Sequence, residues 1–241
     1  MHRYATECGG AVSESSVGLG GTVLTAITVV LLCVCHARGT IIADSIADYS
    51  GTQGQDGWYY GFYDGNVIAG PYTNADFEEF ANYGSAGNGL PDWHTSIWYH
   101  TRNTYWTAIW DEGGHPNAKT TSFGRTPAEH WPVRRWVSET DGVIEITGVL
   151  HESGGAGDGV IGYIFVDGMA VFSHSLNDDD PQYSYSVTVP VNVGTLVDFA
   201  IAPKASDWTD ATKFTAVITP EPSTMLLLGL GGLGWLRRRR A

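Results

Sequence analysis

Four tryptophans, Trp93, Trp98, Trp106 and Trp110, crowd one short stretch of a chain in which aromatic residues reach 12%. An indole ring beside Asp, Asn or Arg offers what a sugar presents to a protein, an apolar surface for C–H faces and polar atoms for hydroxyl edges. These rings are expected on loops that form a ligand-binding edge. Alternation turns about half of the aromatic residues inward, and Trp58 and Trp136 are expected in the core.

The same chemistry could serve an enzyme, for which the acids and histidines are the candidate residues. Glu78-Glu79 and Asp111-Glu112 are adjacent pairs, and a strand or helix turns neighbouring side chains apart. Glycosidases need two carboxylates about 5 to 9.5 Å apart across a bond, which these pairs do not supply. His94, His100, His115, His130, His151 and His174 offer bases, yet no H-E-x-x-H or G-x-S-x-G accompanies them. His94 and His100, six apart, would share a strand face and form a two-histidine metal site at most. The expectation is a non-catalytic protein.

The elements that must position these residues read as all-β. In Val143 to Leu150, Ile144, Ile146 and Leu150 share one face while Glu145, Thr147 and Val149 share the other. Gly162 to Val166, Asp167-Gly168 and Met169 to Ser173 spell strand, two-residue turn and strand. Thr195 to Ala202 places Val197, Phe199 and Ile201 inward and Asp198 outward. Tyr183 to Val189 and Phe214 to Ile218 add two strands, and Asp76 to Tyr83 is expected as a short helical turn. The 31 glycines are dispersed, which suits tight turns. Short strands punctuated by Gly, Asp, Asn and Pro point to a sandwich or barrel spanning residues 40–218. Asn177-Asp178-Asp179-Asp180 lacks the spacing of a calcium loop and is expected as a solvated hairpin tip.

Both ends differ from this middle. Thr22 to Cys35 is an apolar core of signal-peptide length, with Ala37 as a small residue for cleavage, so residues 1–37 are expected to be an export signal. Its n-region is atypically long and holds Arg3 against Glu7 and Glu14, which suggests a translation start nearer Val17 or Val23. The alternative is an uncleaved N-terminal anchor. At the other end, residues 219–241 carry Pro220-Glu221-Pro222, the apolar run Met225 to Leu236, and Arg237, Arg238, Arg239 and Arg240. A helix over 225–236 reaches about 18 Å at 1.5 Å per residue, short of a bilayer core of about 30 Å. The arginines would hold to the cytoplasmic face. Gly229, Gly231 and Gly234 match G-x-G-x-x-G by accident, because no βαβ unit can surround them.

This order of Pro-Glu-Pro, short apolar helix and arginine cluster resembles the PEP-CTERM sorting signal of bacterial surface proteins. The resemblance implies export, transient membrane anchoring through the C-terminal helix, cleavage near Pro220 to Pro222 by an exosortase, and delivery to the envelope or extracellular matrix. An ordinary tail anchor is the alternative. With both signals removed, residues 38–222 hold eight Lys and Arg against 24 Asp and Glu, a formal net charge of −16. That charge repels phosphate backbones and argues against a nucleic-acid partner. Cys8, Cys33 and Cys35 all lie in the expected signal, so no disulfide is expected in the exported domain.

A second resemblance lies in Asp48 to Gly61, His130 to Gly148, Gly159 to Gly168 and Val197 to Thr212. These segments are similar to a jelly-roll module found in secreted bacterial proteins, and the similarity implies a galactose-binding-like β-sandwich, kin in shape to carbohydrate-binding modules. In such a fold the first and last strands are neighbours, so Asp48 and Asp210 could share a structural Ca²⁺; turn and cap aspartates are the alternative. No cofactor is required by this reading. The functional expectation is an exported binding or structural module, with extracellular polysaccharide as its ligand. A calcium-dependent matrix protein without a specific ligand and an extracellular polysaccharide hydrolase remain as alternatives.

Overall fold

The computed structural model describes residues 40–65, 76–85, 96–152 and 155–221. The expected export signal, Trp93, His94, Pro222 and the arginine cluster lie outside the described residues. Within them the chain forms strands β1 (Ala43–Asp44), β2 (Trp58–Asp64), β3 (Phe77–Glu79), β4 (Asn82–Gly84), β5 (Ile97–Tyr99), β6 (Ala108–Trp110), β7 (Gly113–His115) and β8 (His130–Val137). It continues through β9 (Gly142–Glu152), β10 (Val160–Val166), β11 (Met169–Leu176), β12 (Tyr183–Val191), β13 (Leu196–Pro203), β14 (Thr212–Phe214) and β15 (Val217–Pro220).

Two antiparallel sheets result. One runs β11-β10-β13-β8-β2-β3, and the other β1-β15-β9-β14-β7-β6-β5-β4 with β12 on the free edge of β9. The eleven residues of β9 allow it to pair with β12 along one edge and to share the other between β15 and β14. First and last strands do pair, Ala43 opposite Ile218.

The alternation read from the sequence builds the core between the sheets. Ile144, Ile146 and Leu150 meet Trp58, Trp136, Val197, Phe199 and Ile201 in one cluster. Trp58 and Trp136 stand opposite each other on β2 and β8 and are 0% and 2% exposed, as expected of core residues. Asp167 and Gly168 both take positive φ, 46° and 82°, which lets a two-residue turn follow the twist of the strands it joins.

Two elements depart from expectation. Asp76 to Tyr83 contributes β3 and β4 instead of a helical turn, because Phe77–Glu79 pairs with β2 and Asn82–Gly84 with β5, and these ladders outweigh a weak local preference. The strand expected from Phe214 to Ile218 is broken in two. At the break, Ala216 exchanges backbone and hydroxyl hydrogen bonds with Ser45, while Thr215 N–H donates to the Val149 carbonyl.

The registers decide which loops meet. Val160 is opposite both Pro203 and Leu176, Tyr183 is opposite Leu150, and Thr212 is opposite Glu152 and Gly114. The loops leaving Glu152, Leu176, Pro203 and His115 therefore form one rim of the sandwich. Pro220, opposite Ile144, lies near the other end of β9.

Candidate functional site

Three of the four tryptophans expected to form a ligand edge turn inward. Trp98, Trp106 and Trp110 are 6%, 7% and 5% exposed. Trp98 stacks on Tyr60 and donates Nε1–H to the Ser50 carbonyl, while Trp106 and Trp110 join Ile97 and Ala108 in a small second core. The short strands β5 and β6 bury these rings, so the three do not offer a platform to solvent.

A stacked aromatic pair that does face solvent lies at the rim. Phe123 is 77% exposed and Trp208 43% exposed, and their rings stack at 5.2 Å between centroids and 18° between planes. Phe123 and Gly124 both take left-handed backbone, φ 51° and 70°. That conformation is unfavourable for a bulky side chain, and here it holds an apolar ring out in water.

One buried carboxylate fastens the two loops that carry the pair. Asp207, 0% exposed, accepts hydrogen bonds from the N–H groups of Ala118 and Ser122, and its own N–H donates to the Thr120 carbonyl. Burial pushes the Asp207 carboxyl upward, and those backbone donors pull it back. Beneath Phe123, Trp106 presents its ring edge-on, and the Arg125 guanidinium covers the same indole at 4.2 Å. Arg125 also reaches Asn103 Oδ1 at 3.5 Å. The result is a fixed apolar platform flanked by a guanidinium and an amide. Phe123 and Trp208 escape a reading by composition, because tryptophan density draws attention to Trp93 to Trp110. The usable signal is Phe-Gly and Asp-Trp-Thr-Asp inside turn-rich segments.

Asp48 and Asp210 are not brought together. Asp48 accepts from the Asp44 N–H and lies 3.4 Å from Trp58 Nε1. Asp44 is level with Thr147 through Val217, whereas Asp210 adjoins Thr212, which is level with Glu152. Five strand residues at about 3.3 Å each separate those levels by roughly 17 Å, too far to share an ion. The first and last strands are neighbours, but Asp210 precedes the last strand at its far side. Its neighbours in charge are Glu152, Asp158, Asp207 and Asp178.

The outer face of the six-stranded sheet also carries a polar group. Asp198, expected to face outward, leaves the central core but is 2% exposed, held by Arg135 through Nε at 2.7 Å and Nη2 at 2.8 Å and by the Tyr63 hydroxyl. A groove of about 370 Å³ beside Arg135 is lined by Tyr59, Phe77, Glu79, Val137 and Leu196. Its one cation is already engaged by Asp198 and by the Phe77 ring at 4.1 Å. Among the histidines, His100 and His130 approach each other at 5.1 Å but no third ligand joins them, and among the described residues no three His, Cys, Asp or Glu side chains are grouped to hold a metal.

Comparison with known proteins bears on the tail first. Residues 219–240 match the PEP-CTERM protein-sorting motif. The match implies export to the cell envelope or extracellular space, with an exosortase as processing partner. Thr219, Pro220 and Glu221, the described part of that motif, are joined to the sandwich: Thr219 and Pro220 end β15, Glu221 N–H donates to the Val143 carbonyl, and Thr188 Oγ1 donates to Glu221 Oε1 at 2.7 Å. No curated protein matches the chain. Among solved structures, a family 35 carbohydrate binding module from Clostridium thermocellum aligns at 13% identity and TM-score 0.29, covering 38% of this chain and 70% of the module. Tandem CBM51 modules of a family 98 glycoside hydrolase from Streptococcus pneumoniae align at 12% identity and TM-score 0.35, covering 63% of this chain and 48% of theirs.

Proposed function

We propose that this is an exported, non-catalytic β-sandwich protein that binds neutral glycan of the cell exterior through the Phe123–Trp208 platform. The observation that carries the reading is a stacked aromatic pair held in solvent by a strained turn and a buried aspartate. Such a pair suits the C–H face of a pyranose, and Arg125 and Asn103 are at hand for hydroxyls. The net charge of the exported segment disfavours strongly anionic polymers. The acids nearest the platform support a binding role over hydrolysis: Asp207 and Asp158 are committed to backbone N–H groups, and Asp210 is 0% exposed.

The test is a glycan array and polysaccharide pull-down with the exported protein, its Phe123→Ala and Trp208→Ala variants, and a Trp98→Phe control. Loss of one stacking ring is expected to weaken binding by about 10-fold, on the scale of 1 to 2 kcal/mol for an aromatic contact. The control should bind like the parent. Binding by none of the proteins, or equal binding by all, would overturn the proposal.

A further inference from the structure

The rim holds a second feature, which stands apart from glycan binding. Asp210 is 0% exposed, and neither carboxylate oxygen has a hydrogen-bond donor. A buried carboxylate without a donor or counter-charge is one of the most costly groups a fold can keep. Here the surroundings make it worse, since Glu152 from β9, Asp158 from the next loop, Asp178 from the β11–β12 loop and Asp207 are all acidic neighbours. The two basic residues nearest in sequence are engaged elsewhere: Lys213 pairs with Glu112 at 3.0 Å, and Lys204 donates to the Leu176 carbonyl and Asn177 Oδ1.

Other oxygens are left open at the same place. Thr209 Oγ1 and Asp178 Oδ1 are buried and have no hydrogen-bond partner. Gly157 marks where the loops close on one another. A Cβ there would stand 3.3 Å from both Asp210 Oδ1 and Thr209 Oγ1, and 2.1 Å from the Trp208 carbonyl oxygen. Two side-chain oxygens and a carbonyl thus converge beside Gly157, where any side chain would collide with them.

We propose that Asp210 binds a Ca²⁺ ion at this rim, with Thr209 Oγ1 and backbone carbonyl oxygen as further donors and the surrounding acids supplying charge. Among the described residues no three His, Cys, Asp or Glu side chains are placed to hold a metal together, so Asp210 is the one carboxylate ligand and the other acids act through their charge alone. Ca²⁺ accepts carboxylate, hydroxyl, carbonyl and water oxygens together in flexible geometry, and modest affinity is usual for extracellular modules. The donor set is all oxygen, which excludes a thiolate- or imidazole-selecting metal. The ion would join three loops that are otherwise held together against mutual repulsion.

The experiment uses the exported protein with CaCl2 and TbCl3 as probes. Trp208 lies two residues from Asp210, so excitation of tryptophan should sensitise Tb³⁺ luminescence that saturates and is displaced by Ca²⁺. Thermal melting should shift upward by several degrees at about 10 mM CaCl2, well above the millimolar range typical of such modules. Asp210→Asn removes the buried charge at constant shape, so it should fold and melt no lower than the parent without metal, yet lose both responses. Thr209→Val should weaken them several-fold. A flat melting temperature with no saturable luminescence, or full responses retained in Asp210→Asn, would overturn the site.

Discussion

Asp198 shows how one residue's face and its burial can part company. Alternation along β13 turns it away from the central core, and a solvent-facing aspartate is the ordinary expectation. Cross-strand pairing instead sets it opposite Arg135, while Tyr63 and Phe77 close over the pair. Both charges are then nearly out of water, at 2% and 4% exposure. Removing one partner leaves the other buried without compensation. Asp198→Ala is accordingly expected to cost about 3 to 5 kcal/mol in denaturant unfolding, and a loss below about 1 kcal/mol would contradict this account. The left-handed turn at Phe123 belongs to the same scale, since no tally of residue types marks a ring that the backbone holds outward.

At the scale of the element, β15 joins the fold to its address. The strand pairs with β9 as far as Pro220 opposite Ile144, and Glu221 is fastened at both its N–H and its carboxylate. Three residues of the sorting motif, Thr219, Pro220 and Glu221, are therefore bonded into the sheet. Access of a processing enzyme to the bond beyond them should depend on how often this end frays. Thr188→Ala deletes the hydroxyl that holds Glu221, a hydrogen bond worth about 0.5 to 1.5 kcal/mol, so conversion to the processed form should quicken roughly 2- to 10-fold in a pulse-chase. Unchanged conversion kinetics would show that this strap does not govern access.

Seen across the whole molecule, the candidate rim and the first residues of the sorting motif, Thr219 to Glu221, lie at opposite ends of the sandwich. From Ile144, opposite Pro220, to Glu152, opposite Thr212, β9 runs eight residues, or about 27 Å. A chain tethered through its tail would present Phe123, Trp208 and Asp210 at the far end. Global stability also carries a pH signature from histidines locked near this rim. Burial pushes both His115 and His130 down to about 4, with Arg125 adding to the effect on the first and His100 on the second. Their unfolded value is about 6.5, so as pH falls below it the unfolded chain takes up protons that the folded chain refuses. Stability should decline from about pH 6.5 to pH 4 and flatten below for this contribution. Melting temperatures measured across that window, with His115→Gln flattening part of the slope, provide the check; a parent curve without slope would refute it.

Composition, alternation and tail order were enough to read the all-β class, the central faces of β9 and β13, the Asp167-Gly168 turn and the sorting motif. These signals are local: a period of two places a side chain on a face, and a Pro-Glu-Pro segment before an apolar run is legible in one dimension. The location of the candidate site was not. Whether Trp98 or Trp208 meets water depends on which strands cover it, and whether Asp210 pairs with Asp48 or stands among Glu152, Asp158 and Asp178 depends on register between segments far apart in the chain. Sandwich loops converge only after their strands have paired, so the rim and its chemistry exist at the tertiary level alone.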